Sequence, residues 1–198
     1  MKHQEHIVCI KSDRVINLGN GTATYDLSLG DLMLGQRERL ENDEDFRQVL
    51  PISVFIHQGS VWAYERTKKG GETRLHNKIA IAVGGHWDIS DIIIKNGIID
   101  LPASLDTAIK RELDEEIRLT SNIVNSYRIP FAICSDETEV DRVHLGLIWV
   151  HELDGTGIEA VEDQLHEIGF VPPLELLNGK YNLETWAKII CHMILPAQ

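Results

Sequence analysis

The stretch Arg111-Glu112-Leu113-Asp114-Glu115-Glu116-Ile117 is the most informative part of this 198-residue sequence. On a helix, at about 100° per residue, Glu112, Glu115 and Glu116 fall within an arc of about 100°. Like charges at these spacings repel each other by about 0.2–0.5 kcal/mol per pair, and partial burial adds to that cost. A divalent cation would neutralise them, and carboxylate oxygens without a thiolate favour Mg²⁺ or Mn²⁺ over zinc. A solvated acidic helix face is the alternative, and the spacing alone does not decide between the two.

This stretch lies in the clearest predicted helix, which runs from about Ser104 to Leu119. Ser104 is predicted as the N-cap, and Asp106 in the first turn would complement the helix dipole. Glu112 and Glu116 project into an apolar stripe whose members recur at helical spacing. These members are Leu105, Ala108, Ile109, Leu113 and Ile117.

Apolar runs of strand length lie on both sides of the helix. A hairpin is predicted from Ile52 to Tyr64, with its turn at Gln58-Gly59-Ser60. The other predicted strands are Ile7 to Ile10, Ile79 to Val83, Tyr127 to Cys134, His144 to His151 and Ile168 to Val171. Leu183 to Ile194 is predicted as a closing amphipathic helix. Strands before and after a central helix predict an α/β or α+β sandwich.

The composition excludes several classes of protein. A formal net charge of -12 makes the chain a poor ligand for a polynucleotide, although bound metal ions can reverse the local sign for a small phosphorylated substrate. Three scattered cysteines argue against a disulfide framework and fit a reducing cytosol. The apolar runs are too short to cross a bilayer, and the N-terminus is unlike a signal peptide. We therefore expect a cytoplasmic protein that uses no membrane.

In chain order, the sequence has Gly97, five residues, Ala103, seven residues and then Arg111 to Glu116. This order resembles the Nudix box, whose family pattern is Gly, five residues, Glu, seven residues, Arg-Glu, an aliphatic residue, any residue, Glu-Glu, any residue, Gly and an aliphatic residue. The positions that match are Gly97, Arg111, Glu112, Leu113, Glu115, Glu116 and Leu119. Two positions depart from the pattern. Ala103 stands where the family has its first glutamate, and Arg118 stands where it has a glycine.

The resemblance extends beyond the box, to predicted phosphoesterases of the family. Ile52 to Arg66 and Leu75 to His86 look like the strands that lead into the box, and Glu167 to Leu176 is similar to the segment that follows it. We expect a single Nudix-like domain over residues 1–198, with 1–49 as an N-terminal extension. Covering the active site and forming a homodimer contact are two roles open to this extension, and the sequence does not choose between them.

The resemblance implies a Nudix-type α/β/α sandwich with a mixed sheet, a box helix at about 104–119 and a C-terminal helix. It also implies a Mg²⁺- or Mn²⁺-dependent hydrolase that cleaves a diphosphate (phosphoanhydride) linkage in a nucleoside diphosphate derivative or similar small phosphorylated metabolite. Carried over by position, the metal ligands are Glu112, Glu115 and Glu116. Glu115 or Glu116 would help to activate water, and Arg111 would orient a glutamate through a salt bridge. Because Ala103 and Arg118 depart from the pattern, the alternative is a catalytically impaired Nudix-fold nucleotide-binding or regulatory protein.

Further candidates lie outside the box. Arg66 and Lys78 belong to the one strongly basic cluster and are candidates to contact substrate phosphates, whereas Lys68 and Lys69 better fit a solvated loop. His86 follows two glycines at the end of a strand, where backbone can approach a ligand closely, and is a candidate to contact substrate. A structural histidine is the alternative. Glu137 or Glu139, in the acidic turn, is a candidate for the general base, and an ordinary acidic turn is the alternative. Trp87 is a candidate to stack on a base of the substrate, and a core residue is the alternative.

Overall fold

The computed structural model describes residues 5–25, 30–67, 73–161, 163 and 165–195. Residue contacts divide the chain into two compact units. The first unit comprises Met1–Ile52, Gly84–Glu112 and Ile129–Ile148, and the second comprises Ser53–Val83, Leu113–Arg128 and Trp149–Gln198. Several long elements have residues in both units because the chain runs through them without a break.

The predicted α+β fold class is confirmed, with a mixed sheet and few helices. The strands are His6–Lys11, Val15–Gly19, Thr22–Tyr25, Leu32–Gln36, Phe46–His57, Ser60–Arg66, Ile79–Ala80, Val83–Gly84, Ile94–Lys95, Ile98–Ile99, Ile117–Leu119, Ile123–Ile133, His144–Leu153, Ile158–Ala160 and Leu165–Val171. The α-helices are Arg37–Leu40, Leu101–Glu116, Glu139–Arg142, Pro173–Leu176 and Thr185–Ile194, and short 3-10 turns lie at Ser12–Arg14, Thr73–Leu75 and Ile89–Asp91. None of the helices in the described residues is long and apolar enough to cross a bilayer.

In the first unit, strand His6–Lys11 pairs antiparallel with Leu32–Gln36 and with the beginning of Phe46–His57. Strand Thr22–Tyr25 pairs with Val15–Gly19 and, at its other edge, with Ala132 and Ile133. A small core of Ile7, Cys9, Leu40 and Phe46 fills this part. Much of the predicted N-terminal extension therefore consists of strands with their own buried side chains.

In the second unit, the predicted hairpin is present. Its strands meet through Ile56 opposite Val61, and the turn residues Gln58 and Gly59 both have positive φ, which is the geometry that suits a tight hairpin. Strand Ser60–Arg66 also pairs with Leu165–Val171 and Ile79–Ala80. The core of this unit contains Phe55, Trp62, Tyr64, Ala80, Val83, Ile117, Leu153, Ile158 and Leu165.

The box helix, Leu101–Glu116, begins earlier than predicted. The Asp100 carboxylate accepts the Ala103 N–H at 3.1 Å, and the Asp100 carbonyl accepts the Ser104 N–H at 2.9 Å. The prediction that Ser104 is the N-cap is therefore wrong, because Asp100 already fills that role and Pro102 is well tolerated in a first turn. Asp106 consequently lies beyond the first turn, on the exposed side of the helix.

The same helix also ends earlier than predicted, at Glu116 rather than Leu119. Residues Ile117–Leu119 form a strand in which Arg118 lies opposite Glu159, and the Val161 N–H donates to the Glu116 carbonyl at 2.8 Å. A strand needs no left-handed residue after the helix. This geometry explains why arginine is accommodated at position 118, where the family pattern has glycine.

Candidate functional site

Arg111 is held on several sides by hydrogen bonds. Its Nε and Nη2 donate to the two carboxylate oxygens of Asp91, each at 2.9 Å, and Nη2 also donates to the His86 carbonyl at 3.0 Å. Its Nη1 donates to Glu112 Oε1 at 2.7 Å. The hydrogen-bonded Asp91 carboxylate raises the pKa of Arg111 above its ordinary value, so the guanidinium stays charged. Arg111 therefore places a fixed positive charge beside Glu112.

Asp91 was not among the residues predicted from the sequence, although it is only 2% exposed. It ends the 3-10 turn Ile89–Asp91, where the Asp88 N–H donates to Asp91 Oδ2 at 3.0 Å and the Ser90 N–H donates to Asp88 Oδ1 at 2.8 Å. This reciprocal capping box is visible in the sequence as two aspartates three residues apart. The spacing could have predicted the turn, but only the fold brings Asp91 to Arg111, twenty residues further on.

The Glu112 carboxylate packs against the backbone of Gly85. A Cβ atom added to Gly85 would lie 2.7 Å from both oxygens of Glu112, which is closer than real Cβ contacts allow. Gly84 is constrained differently, because its φ is +143° and an added Cβ would lie 2.4 Å from the Pro51 carbonyl oxygen. The two glycines therefore have separate functions. Gly84 permits a close backbone crossing, and Gly85 leaves room for the Glu112 carboxylate.

Glu115 and Glu116 follow Glu112 on the same helix, in the second unit. Glu115 is exposed and Glu116 is half-buried. The Glu116 charge contributes to raising the pKa of Arg66, a cation of the same unit. The two central pairs of the box, Arg-Glu and Glu-Glu, thus stand on consecutive turns of one helix, with Asp114 exposed between them.

Arg66, predicted to contact substrate, forms an ion pair with Glu184 through its Nε. The guanidinium also lies over the Tyr64 ring, 5.6 Å from the ring centroid. Burial lowers the pKa of Arg66, but the Glu184 carboxylate, together with Tyr64 and Glu116, more than offsets burial and leaves the pKa above its ordinary value. Glu184 was not predicted as a site residue. Although it is only 7% exposed, no sequence motif distinguishes it from a glutamate that simply precedes a helix.

The other predicted substrate residues are Lys78 and His86. Lys78 is half-buried in the second unit, and its carbonyl accepts the Arg66 N–H at 3.0 Å. His86 is half-buried in the first unit, where its Nε2 donates to Gln48 Oε1 at 2.8 Å, and its ring lies 5.5 Å from that of His144. The backbone carbonyl of His86 accepts a hydrogen bond from Arg111 Nη2.

The remaining candidates, Glu137, Glu139 and Trp87, lie in ordinary structural positions. Glu137 and Glu139 are exposed in a turn where Thr138 caps the helix Glu139–Arg142. Trp87 is fully buried, as a core residue is, and so offers no accessible stacking surface. Lys68 and Lys69 lie outside the described residues.

Carboxylates suit a hard divalent cation, and the space that Gly85 leaves for Glu112 is consistent with a carboxylate that must be kept in place. Nevertheless, among residues 5–25, 30–67, 73–161, 163 and 165–195, no three His, Cys, Asp or Glu side chains converge as an already assembled metal site. The residues therefore fit such an ion by their chemistry and by their place on the helix. Binding would require their side chains to close around it.

Comparison with known proteins places this geometry in a wider context. No family model matches the chain. Protein YmaB of Bacillus subtilis (strain 168) is 30% identical over 162 residues, which cover 80% of this chain and 76% of that protein. Among solved structures, Tm1382, a candidate Nudix hydrolase, matches with a TM-score of 0.72 and 22% identity over 96% of this chain and 98% of its own. DR0079 from Deinococcus radiodurans matches with a TM-score of 0.51 and 14% identity, over 94% of this chain and 99% of its own.

The likeness to Tm1382 and the Arg-Glu and Glu-Glu pairs on the central helix define a protein of the Nudix fold. The predicted resemblance is confirmed at this level. The chain belongs to the same family as Protein YmaB.

Proposed function

We propose that this protein is a divalent-cation-dependent hydrolase of a diphosphate linkage in a nucleoside diphosphate derivative or a similar small phosphorylated metabolite. One observation carries the proposal: Arg111, fixed by Asp91, pairs with Glu112 on the helix that presents Glu115 and Glu116 one turn later. A merely solvated acidic helix has no need of a forked pair between a half-buried arginine and a buried aspartate. The cation is Mg²⁺ or Mn²⁺, in keeping with ligands that are all carboxylates.

Glu112, Glu115 and Glu116 would hold the ion, and Glu115 or Glu116 would help to orient and deprotonate the attacking water. When bound, the ion neutralises the diphosphate and lowers the pKa of a coordinated water. Arg111 limits the movement of Glu112 and partly offsets its charge before the ion binds. Gly85 keeps the space that the Glu112 carboxylate occupies.

Substrate contacts are proposed for Arg66, Lys78 and His86. Arg66 is paired with Glu184, so a substrate phosphate has to compete with that carboxylate or to share the guanidinium with it. A phosphate carries more charge than a carboxylate and accepts the same forked hydrogen bonds. This competition would favour a substrate with at least two phosphates over a singly charged ligand.

The second candidate is a nucleotide-binding or regulatory protein that has lost hydrolysis. Ala103, in the first turn of the box helix, favours it because the family pattern has a glutamate there. Such a protein would show a rise in melting temperature with a nucleotide and cation but release no product. Arg118 no longer weighs toward this candidate, since the strand at Ile117–Leu119 accommodates it.

The wider setting of the activity is also a proposal. The chain would act in the cytoplasm as a single domain over residues 1–198, on a small substrate rather than a polynucleotide. A homodimer contact and a cover over the active site remain the two roles proposed for residues 1–49.

The test is a turnover screen of nucleotide sugars, dinucleotides and nucleoside triphosphates with Mg²⁺ or Mn²⁺. We expect wild-type activity that chelation abolishes and that Glu116→Gln lowers by at least about 100-fold, because a metal ligand is lost. Asp114→Asn removes the same charge from the other side of the same helix and should keep the activity. The proposal is abandoned if no substrate turns over, or if Glu116→Gln is as active as Asp114→Asn.

A further inference from the structure

The position of Arg111 is set by its neighbours rather than by its own helix. The Asp91 carboxylate accepts two hydrogen bonds from the Arg111 guanidinium, and the His86 carbonyl accepts a third from Nη2. A forked arginine–carboxylate pair fixes the guanidinium in plane as well as in distance. With three of its hydrogen bonds directed to Asp91 and His86, the guanidinium presents Nη1 to Glu112 Oε1 in one orientation.

Asp91 is itself rigidly placed. The turn Ile89–Asp91 is closed by a reciprocal capping box with Asp88, and the carboxylate of Asp91 is both a member of that box and the partner of Arg111. Its side chain is almost completely buried, which makes the charge expensive unless it is paired. The buried Asp91 carboxylate therefore does more than close a three-residue turn, because it also binds Arg111 of the box.

The charges of Asp91, Arg111 and Glu112 indicate how Asp91 affects Glu112. Asp91 and Glu112 contribute two negative charges and Arg111 contributes one positive charge, so the trio keeps a net charge of -1. Without Asp91, the guanidinium would neutralise Glu112 alone and would compete with a cation for its oxygens. With Asp91, the arginine is shared, and Glu112 keeps negative charge that a cation can use.

We propose that Asp91 is a positioning residue for Glu112 and sets its affinity for the divalent cation through Arg111. This role rests on the proposed function. The box of this chain has alanine at position 103, and a carboxylate that holds Arg111 comes from the turn before the box. In this role Asp91 acts through Arg111 and is not itself a ligand of the cation. Its effect is on where Glu112 lies and how much charge Glu112 retains.

The direct test measures Mn²⁺ binding to the full-length, metal-free chain, by electron paramagnetic resonance of free Mn²⁺ and without any substrate. Asp91→Asn keeps the shape of the side chain but removes its charge. We expect Mn²⁺ affinity to fall by about tenfold to 100-fold, the usual loss when a residue that supports a metal ligand is changed. Asp88→Asn is the matched control. It removes one charge from the same turn, keeps a good capping residue, and should bind Mn²⁺ as the wild type does.

A second measurement separates positioning from a structural effect. With a substrate from the turnover screen, high Mn²⁺ should restore most of the turnover of Asp91→Asn but not that of Glu112→Gln, and KM for the substrate should stay unchanged in Asp91→Asn. Asp91→Glu retains a carboxylate that can still close the capping box, and its Mn²⁺ affinity should lie between those of the wild type and Asp91→Asn.

The inference is overturned if Asp91→Asn binds Mn²⁺ as tightly as Asp88→Asn, or if both variants lose affinity equally. A wild-type chain that binds no Mn²⁺ and turns over no substrate overturns the proposed function and this inference together. A wild type that binds Mn²⁺ and is active, beside an unchanged Asp91→Asn, overturns the positioning role alone.

Discussion

Single residues in this protein keep the side chains of the box in place. Arg111 has partners on several sides, and Glu112 lies between Arg111 and the backbone of Gly85. Of the four residues Asp91, Arg111, Glu112 and Gly85, only Arg111 and Glu112 belong to the box pattern. Asp91 and Gly85 act from the chain before the helix, so a reading of the box alone cannot find them.

Gly85→Ala tests whether space for the Glu112 carboxylate matters. The new Cβ would lie 2.7 Å from both carboxylate oxygens, and a flexible side-chain end can move away at little cost to folding. We expect a melting temperature close to that of the wild type, with Mn²⁺ affinity and turnover lowered by about tenfold or more. Calorimetry and a Mn²⁺ titration check the two parts. Unchanged Mn²⁺ affinity in a folded Gly85→Ala would show that the position of the Glu112 carboxylate is unimportant.

His151 gives a prediction for the pH dependence of stability. It is 7% exposed, between Ser126 at 2.5 Å on Nδ1 and Ser53 at 3.1 Å on Nε2, and burial lowers its pKa below 6.5. Below pH about 6.5, His151 is protonated in the unfolded chain but stays neutral in the folded chain because its pKa there is lower. The free energy of unfolding therefore falls as the pH falls. The slope from this residue is at most about 1.4 kcal/mol per pH unit.

His151→Gln should remove that contribution. Urea unfolding of both proteins from pH about 7.5 down to pH about 5 measures the two slopes. The wild type should lose stability more steeply than the variant over the range just below pH 6.5. Parallel curves would mean that folded and unfolded His151 take up protons alike.

At the scale of elements, the sequence predicted whether a segment is a helix or a strand better than it predicted where the segment begins and ends. The hairpin at Gln58-Gly59, the C-terminal helix and most of the predicted strands form. The run predicted as one strand from Ile79 to Val83 is instead two short strands, Ile79–Ala80 and Val83–Gly84. The box helix was misplaced at both ends. At its start, the capping carboxylate of Asp100 competes with Ser104, and propensity does not rank the two. At its end, Ile117 has helical spacing but is taken up by pairing with Ile158–Ala160, a contact distant in sequence.

Ser104 nonetheless has a structural role that predicts a measurable effect. Its Oγ accepts the Ile93 N–H at 2.8 Å and donates to the Asp100 carbonyl at 2.7 Å, so it ties the helix to the segment before it. Ser104→Ala should lower the free energy of unfolding by about 1–3 kcal/mol, because buried polar groups lose their partners. Thr107→Ala, whose hydroxyl bonds only within the helix to the Ala103 carbonyl, is the matched control and should cost less. Chemical denaturation of both compares them, and equal losses would contradict this role.

For the molecule as a whole, the excess of acid has two meanings. Most of the thirty-one acidic residues need no explanation beyond solubility, and the net charge of -12 disfavours a polynucleotide partner. The glutamates of the box differ because arginines accompany them in each unit, Arg111 beside Glu112 and Arg66 near Glu116. The candidate ligands could be predicted from the sequence. The carboxylates that pair with these arginines, Asp91 with Arg111 and Glu184 with Arg66, could not be predicted, because only long-range folding brings them together.

The central claim, that these glutamates form a cation site rather than a solvated helix face, is tested most directly by thermal unfolding during a Mn²⁺ titration. A ligand that binds only the folded state adds about 2.7 kcal/mol at 100 times its Kd, so the wild-type melting temperature should rise with Mn²⁺. Asp114→Asn should show the same rise, whereas Glu112→Gln should show little. Equal responses of Asp114→Asn and Glu112→Gln, or no rise in the wild type, would contradict the account.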